Sequence, residues 1–174
     1  MIQKEHTFEP KSLRIGDEVV YAAHGVGRVV GREQKRVGGT VRDCIVVDLA
    51  TGLRVTLSLE EASERLRRVA GKKELEDVRK TLTAASSERD DRWAARIKEN
   101  QAKLASGRPT ELAELVRDGS RFEQPEGSRL SHGERRVYLQ ARELLVREIC
   151  SARGLEHDEA DAWIEAQIID GDGV

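Results

Sequence analysis

The chain has 174 residues, of which 38% are apolar, 36% charged and only 3% aromatic, with 15 glycines and a net charge of −2. Counting glycine, the apolar share reaches the roughly 45–50% of a globular chain, which excludes disorder throughout, and the length suits one or two domains of ordinary size. Few aromatics and a charge content well above the usual ~25% exclude a large aromatic cofactor pocket and imply an aliphatic core under an ionic surface.

Charge is unevenly spread. Residues 1–70 carry 12 Lys/Arg and 10 Asp/Glu, residues 71–154 carry 18 and 15, and residues 155–174 carry none and seven. The net value argues against a protein that coats nucleic acid non-specifically, yet an acidic end hides a mildly basic body. The longest apolar run is Val19 to Ala23, far below the ~20 residues of a membrane span, and the opening MIQKEHTFEP has no signal-peptide core. A cytoplasmic location is expected. Cys44 and Cys150 lack any CxxC spacing and are expected to be reduced core residues.

In chain order, EVVY (18–21), GVGRVVGRE (25–33), TVRDCIVVDL (40–49), LRVTLSL (53–59) and RLRRV (65–69) are short β-branched stretches separated by turn signals. Gly38-Gly39 suits a tight hairpin, and Ala50-Thr51-Gly52 suits the next connection. In LRVTLSL, strict alternation puts Leu53, Val55, Leu57 and Leu59 on one face and Arg54, Thr56 and Ser58 on the other. Beyond Ala70-Gly71 the period changes from two to about 3.6, which predicts a domain boundary near 71. Leu75, Val78 and Leu82 stripe a first helix; a break at 83–87 leads to a second from about Glu88 to Ala105, stopped by Gly107. Pro109 opens a third that ends near Gly119, and 124–128 is a loop. Ser131 with Glu134 forms a capping box opening the longest helix, with Val137, Leu144, Leu145 and Ile149 inward and Gly154 as terminator. A last helix, about 158–169, buries Trp163 and Ile164. The expected fold class is α+β: a small N-terminal Tudor/SH3-like antiparallel β-barrel (1–70) and a compact all-α C-terminal domain of about five helices (71–174).

Enzymatic motifs are missing. His6, His24, His132 and His157 are scattered without metal-ligand spacing, and GxxxxGK[ST], GxSxG and HExxH do not occur. His24-Gly25-Val26-Gly27 joins two strands and lacks the helix N-terminus that a phosphate cradle needs, so it reads as a turn with a close backbone approach. Neither a metal nor a cofactor is expected. The unusual segment runs from Arg89 to Lys103. Arg89, Arg92 and Arg96 share one helical face, with Trp93 beside it near the helix start. This is either a half-buried core tryptophan among snorkelling arginines or an aromatic wedge flanked by phosphate-binding charges, as in minor-groove proteins that insert an apolar group between base steps.

The stretch GDEVVYAAHGVGRVV (16–30) resembles the opening of the CarD (CdnL) family of bacterial RNA polymerase-binding transcription regulators, an element shared with the polymerase-interacting domain of the transcription-repair coupling factor. Trp93 with Arg96 and Lys98, then KLASG (103–107), ELVRD (114–118), LSHGER (130–135) and ARELL (141–145), extend the likeness over about residues 12–152. The resemblance implies a Tudor-like domain docking on the lobe of the polymerase β subunit and a helical domain at the upstream edge of melted promoter DNA, where a tryptophan enters the minor groove. By position, Trp93 is the wedge. Arg92 flanks it; Arg96, Lys98 and Arg135 are the basic DNA-facing residues. Lys35 and the neighbourhood of Thr56, with Arg54 and Ser58 on the same strand, are the polymerase contacts. Thr56 and Ser58 stand where relatives often have arginine and proline, Ala22 where a proline usually follows Val-Val-Tyr, and Gly119-Ser120 where a leucine-aromatic pair follows Arg117-Asp118. These changes are expected either to alter polymerase affinity or to pass the charge role to Arg54, and to weaken the end of the third helix and loosen the helical domain.

The reading is therefore a non-enzymatic, monomeric, cytoplasmic and nucleoid-associated regulator that stabilises the open complex. Two alternatives stay open: a polymerase adaptor whose helical half touches protein, and a small hydrolase using His24 and Asp17.

Overall fold

A computed structural model of the chain describes residues 8–85, 92–123 and 130–172. His6, Arg89, the expected helix start at Glu88 and the loop at 124–128 lie outside them. The chain divides into two compact units, Met1–Val69 and Ala70–Val174.

In the first unit, strands β1 (Glu18–Tyr21), β2 (Gly25–Val37), β3 (Thr40–Leu49), β4 (Arg54–Ser58) and β5 (Leu66–Arg68) form one antiparallel sheet in the order β4-β3-β2-β1-β5. Gly38 and Gly39, at φ 58° and 85°, make the hairpin turn that lets β2 and β3 pair along most of their length. An irregularity between Val29 and Gly31 shifts the β2 register, and β2 runs on to Val37 instead of stopping near residue 33. Val19, Val29, Ile45, Val47, Leu49 and Leu57 build the core, closed by Leu13, Ala62 and Leu66. Gly27 faces β3 so closely that a Cβ would lie 2.7 Å from Val47 and 2.8 Å from Leu49, which accounts for its place in the His24–Gly27 turn. Ala22 has φ 31°, a value proline cannot adopt, so the turn differs locally from one built on proline.

The expected strand over 53–59 is corrected at both ends. Leu53 is half exposed in the preceding turn, and the chain turns at Ser58 into a helix, α1 (Leu59–Arg65), absent from the sequence reading. Ser58 is its N-cap: Glu61 N–H donates to Ser58 Oγ (3.2 Å), while Ser58 N–H and Oγ–H donate to Glu61 Oε2 (both 3.0 Å). Helix α1 packs on β3, β4 and β5.

The second unit holds five α-helices among the described residues: α2 (Lys72–Thr83), α3 (Trp93–Ser106), α4 (Pro109–Glu123), α5 (His132–Arg153) and α6 (His157–Asp172). Val78, Leu82, Leu112, Val116, Leu145, Ile149 and Ile164 are its centre, and Gly107 and Gly154 end α3 and α5 in the left-handed conformation. Helix α4 does not stop near Gly119. That glycine sits under the Tyr138 ring of α5, where a Cβ would be 2.6 Å from Cγ, and Ser120 Oγ lies 3.2 Å from the Tyr138 hydroxyl. The missing side chains are thus filled by a ring from α5, and the helix end is packed. The acidic end forms the expected last helix, α6. Ala160, Ile164 and Ile168 bury one stripe of α6, Trp163 is half-buried with the Arg153 guanidinium 5.0 Å above its ring, and Arg142 binds Asp161 (2.7 Å) and Glu165 (2.5 Å). Cys44 is buried and Cys150 half-buried, both free thiols. Among the described residues no helix is long and apolar enough to cross a membrane.

Candidate functional site

Two surfaces carry the residues singled out in the sequence. The first is the outer face and free edge of β4. Leu49 N–H donates to Leu53 carbonyl (2.8 Å), and the register pairs Val47 with Val55 and Ile45 with Leu57. Hydrogen-bonded and non-bonded pairs alternate in an antiparallel ladder, so Arg54, Thr56 and Ser58 turn their backbone N–H and C=O groups away from β3. Ser58 N–H is taken by Glu61, which closes the edge there and, among the described residues, leaves it open at Arg54 and Thr56. Their side chains lie on the face where β2 brings Gly31, Glu33 and Lys35 and β3 brings Val46. Together these residues line an open depression of about 460 Å³.

Three of the four expected polymerase contacts, Lys35, Arg54 and Thr56, therefore meet at one place. Ser58 does not join them, because it is 6% exposed and spent on the cap. Neither cation is bare. Arg54 makes a two-pronged pair with Asp48 (2.5 and 2.7 Å), whose hydrogen bonds hold the Asp48 carboxyl below its usual range and the guanidinium above its own. Lys35 Nζ lies 3.1 Å from Glu33.

The second surface lies where α3 and α5 begin. Trp93 is the first residue of α3 and is 56% exposed, which removes the reading as a core tryptophan. Arg92 occupies the N-cap position, and its side chain makes no cap. Glu134, in the first turn of α5, accepts from Arg96 Nε at 3.2 Å, so the two helix starts lie side by side. At about 100° per residue, Trp93 falls roughly 60° from Arg96 on the stripe that meets α5.

The other expected DNA-facing residues need sorting. Arg96 is mostly buried against Glu134, its side chain 16% exposed, and is not a surface charge. Lys98 is exposed but stands about 140° around the helix from Trp93, on another face. Arg135, next in sequence to Glu134, is exposed and pairs with Glu123 at 3.0 Å. Arg136 and Leu139 are exposed in the first turns of α5 but stand about 160° and 140° around that helix from Glu134, on the side away from α3. Sequence reasoning missed the second role of Glu134, whose place in the capping box at the start of α5 was the signal available.

Residues 77–165 match the family model of the CarD C-terminal domain, and residues 13–70 match that of the CarD-like/TRCF RID domain. The chain belongs to the CarD family. A relative from Bacillus subtilis that carries a transcription-factor name, YdeB, is 26% identical over 153 residues, covering 87% of this chain and 99% of the relative. A CarD-family chain is a transcription regulator associated with RNA polymerase, and its two matched domains correspond to the sheet unit and the helical unit.

Proposed function

We propose that this CarD-family protein acts as a monomer in the cytoplasm, associated with the nucleoid through RNA polymerase. The sheet unit binds the polymerase β lobe, and the helical unit stabilises the open promoter complex by placing Trp93 in the minor groove at the upstream edge of the bubble. The observation that carries this reading is a large, flat, exposed ring at the tip of α3, whose first turn is tied to the first turn of α5 by Arg96 and Glu134. A wedge of this kind offsets the few kcal/mol needed to unstack a base step, while Arg92 and Arg135 meet phosphates. On the sheet unit, the open backbone at Arg54 and Thr56 suits strand addition, with Lys35 and the Arg54–Asp48 pair giving side-chain selectivity. A ligand that prefers the melted state shifts the closed-to-open equilibrium by its differential affinity. Tethering through polymerase raises the local concentration, so weak intrinsic DNA affinity suffices.

Purified protein is tested for retention by a β-lobe fragment and then for footprint extension on a promoter bound by polymerase. Retention with an extended upstream footprint is expected. Retention without any DNA protection favours the adaptor reading, and no retention removes the polymerase docking surface.

A further inference from the structure

Helix α3 adds little to the apolar core of its unit and is tied to α4 and α5 by ion pairs. Of its residues only Leu104 belongs to the apolar core cluster of the described residues. At its C-terminal end Lys103 Nζ lies 2.9 Å from Glu114 on α4 and 2.9 Å from Glu99 within α3. At the other end, one turn from Trp93, stands the pair Arg96–Glu134, with side chains 16% and 5% exposed. Glu134 divides its two oxygens: Oε2 accepts Ser131 N–H (2.9 Å) and Oγ–H (2.6 Å) and so caps α5, while Oε1 accepts Arg96 Nε (3.2 Å). One buried carboxylate thus fixes the start of α5 and the start of α3 against each other. If Arg96 swung out to a phosphate it would take this charge partner from a buried carboxylate, an unfavourable exchange.

We infer that Arg96 and Glu134 are positioning residues that aim Trp93, and that Arg96 is not itself a phosphate contact. This rests on the reading of Trp93 as the DNA-facing ring. Arg96 and Trp93 are three residues apart on one ridge of α3, so a guanidinium locked to α5 sets the direction in which the ring projects.

The full chain labelled with 5-fluorotryptophan gives one ¹⁹F resonance for Trp93 and one for Trp163, assigned with Trp163→Phe. Arg96→Gln and Glu134→Gln, the latter still able to cap α5, should each move the Trp93 resonance. The double variant should move it no further, and Arg96→Lys should restore part of the parent position. In open complexes with polymerase, each single variant should shorten the lifetime roughly three- to tenfold, and the double no more than either. The salt dependence of DNA affinity should keep the parent slope, because no phosphate contact is lost. A Trp93 resonance unmoved by Arg96→Gln, with a salt slope lower by about one and effects that add to those of Glu134→Gln, overturns the inference and makes Arg96 a phosphate contact. A moved resonance in a protein whose parent form leaves open complexes unchanged keeps the positioning role and removes the DNA reading. Should Glu134→Gln fail to fold, Arg96→Gln carries the same test without touching the cap.

Discussion

The two units each contain a Ser-x-x-Glu capping box, and the pair behaves differently. At Ser58/Glu61 the carboxylate closes on its own serine and stays at the surface, where hydrogen bonds from Ser58 hold it below the usual carboxylate range. At Ser131/Glu134 the same local geometry is buried, and the second carboxylate oxygen reaches across to Arg96. The first box ends an edge strand and limits where a partner strand could pair. The second joins two helix starts and turns a local cap into a tertiary tie. Identical four-residue chemistry therefore differs in consequence according to what the spare oxygen meets.

The comparison breaks most visibly at the buried carboxylate. Glu134→Ala removes a cap and leaves Arg96 without this partner in a mostly buried position, so about 2–4 kcal/mol should be lost from the helical unit in a urea melt. An effect below about 1 kcal/mol would mean that the tie contributes little. Next in size is a change at the sheet edge. Arg54→Glu sets a second carboxylate opposite Asp48 and should weaken binding to the polymerase β lobe by roughly an order of magnitude while the unit stays folded, as read by titration calorimetry. Ser58→Ala sharpens the contrast by removing the surface box alone. Its cost should be about 1 kcal/mol, with no change in Trp93 fluorescence, whereas Ser131→Ala should alter that fluorescence.

The smallest effect belongs to an exposed pair that serves as a control. His157 Nε2 lies 3.1 Å from Glu143, whose hydrogen bond holds the imidazole above its ordinary value of 6.5. The pair's contribution to holding α6 is full below that value and is lost as pH rises through the raised one. Thermal stability of the parent should therefore decline slightly more between pH 6 and pH 8 than that of His157→Gln, and identical profiles would remove any role for the pair.

Much of this architecture was legible because local signals agreed with tertiary ones. The Gly38-Gly39 hairpin, the change of period near residue 71, the Ser131 box and the glycine stops at 107 and 154 all needed only near neighbours in sequence. Where two local signals competed, the reading failed: the alternation of Leu53, Val55, Leu57 and Leu59 masked the Ser58–Glu61 box, although that box has the same pattern as the one recognised at 131. Gly119 was taken for a stop because its partner, Tyr138, is distant in sequence. On the candidate surfaces, the resemblance pointed to Lys35 and the neighbourhood of Thr56, which the fold brings together with Arg54, and to Trp93, which is exposed. The opposite placement of Lys98 follows from helical arithmetic alone. The burial of Arg96 does not, since it depends on a glutamate 38 residues away.

Open-complex lifetime measures most directly what the exposed ring at the tip of α3 does. Trp93→Ala should leave folding and β-lobe binding intact and shorten the lifetime toward that of polymerase alone, with Trp93→Phe in between, because the wedge acts through the area of its ring. A folded Trp93→Ala protein that prolongs open complexes as well as the parent would contradict the account.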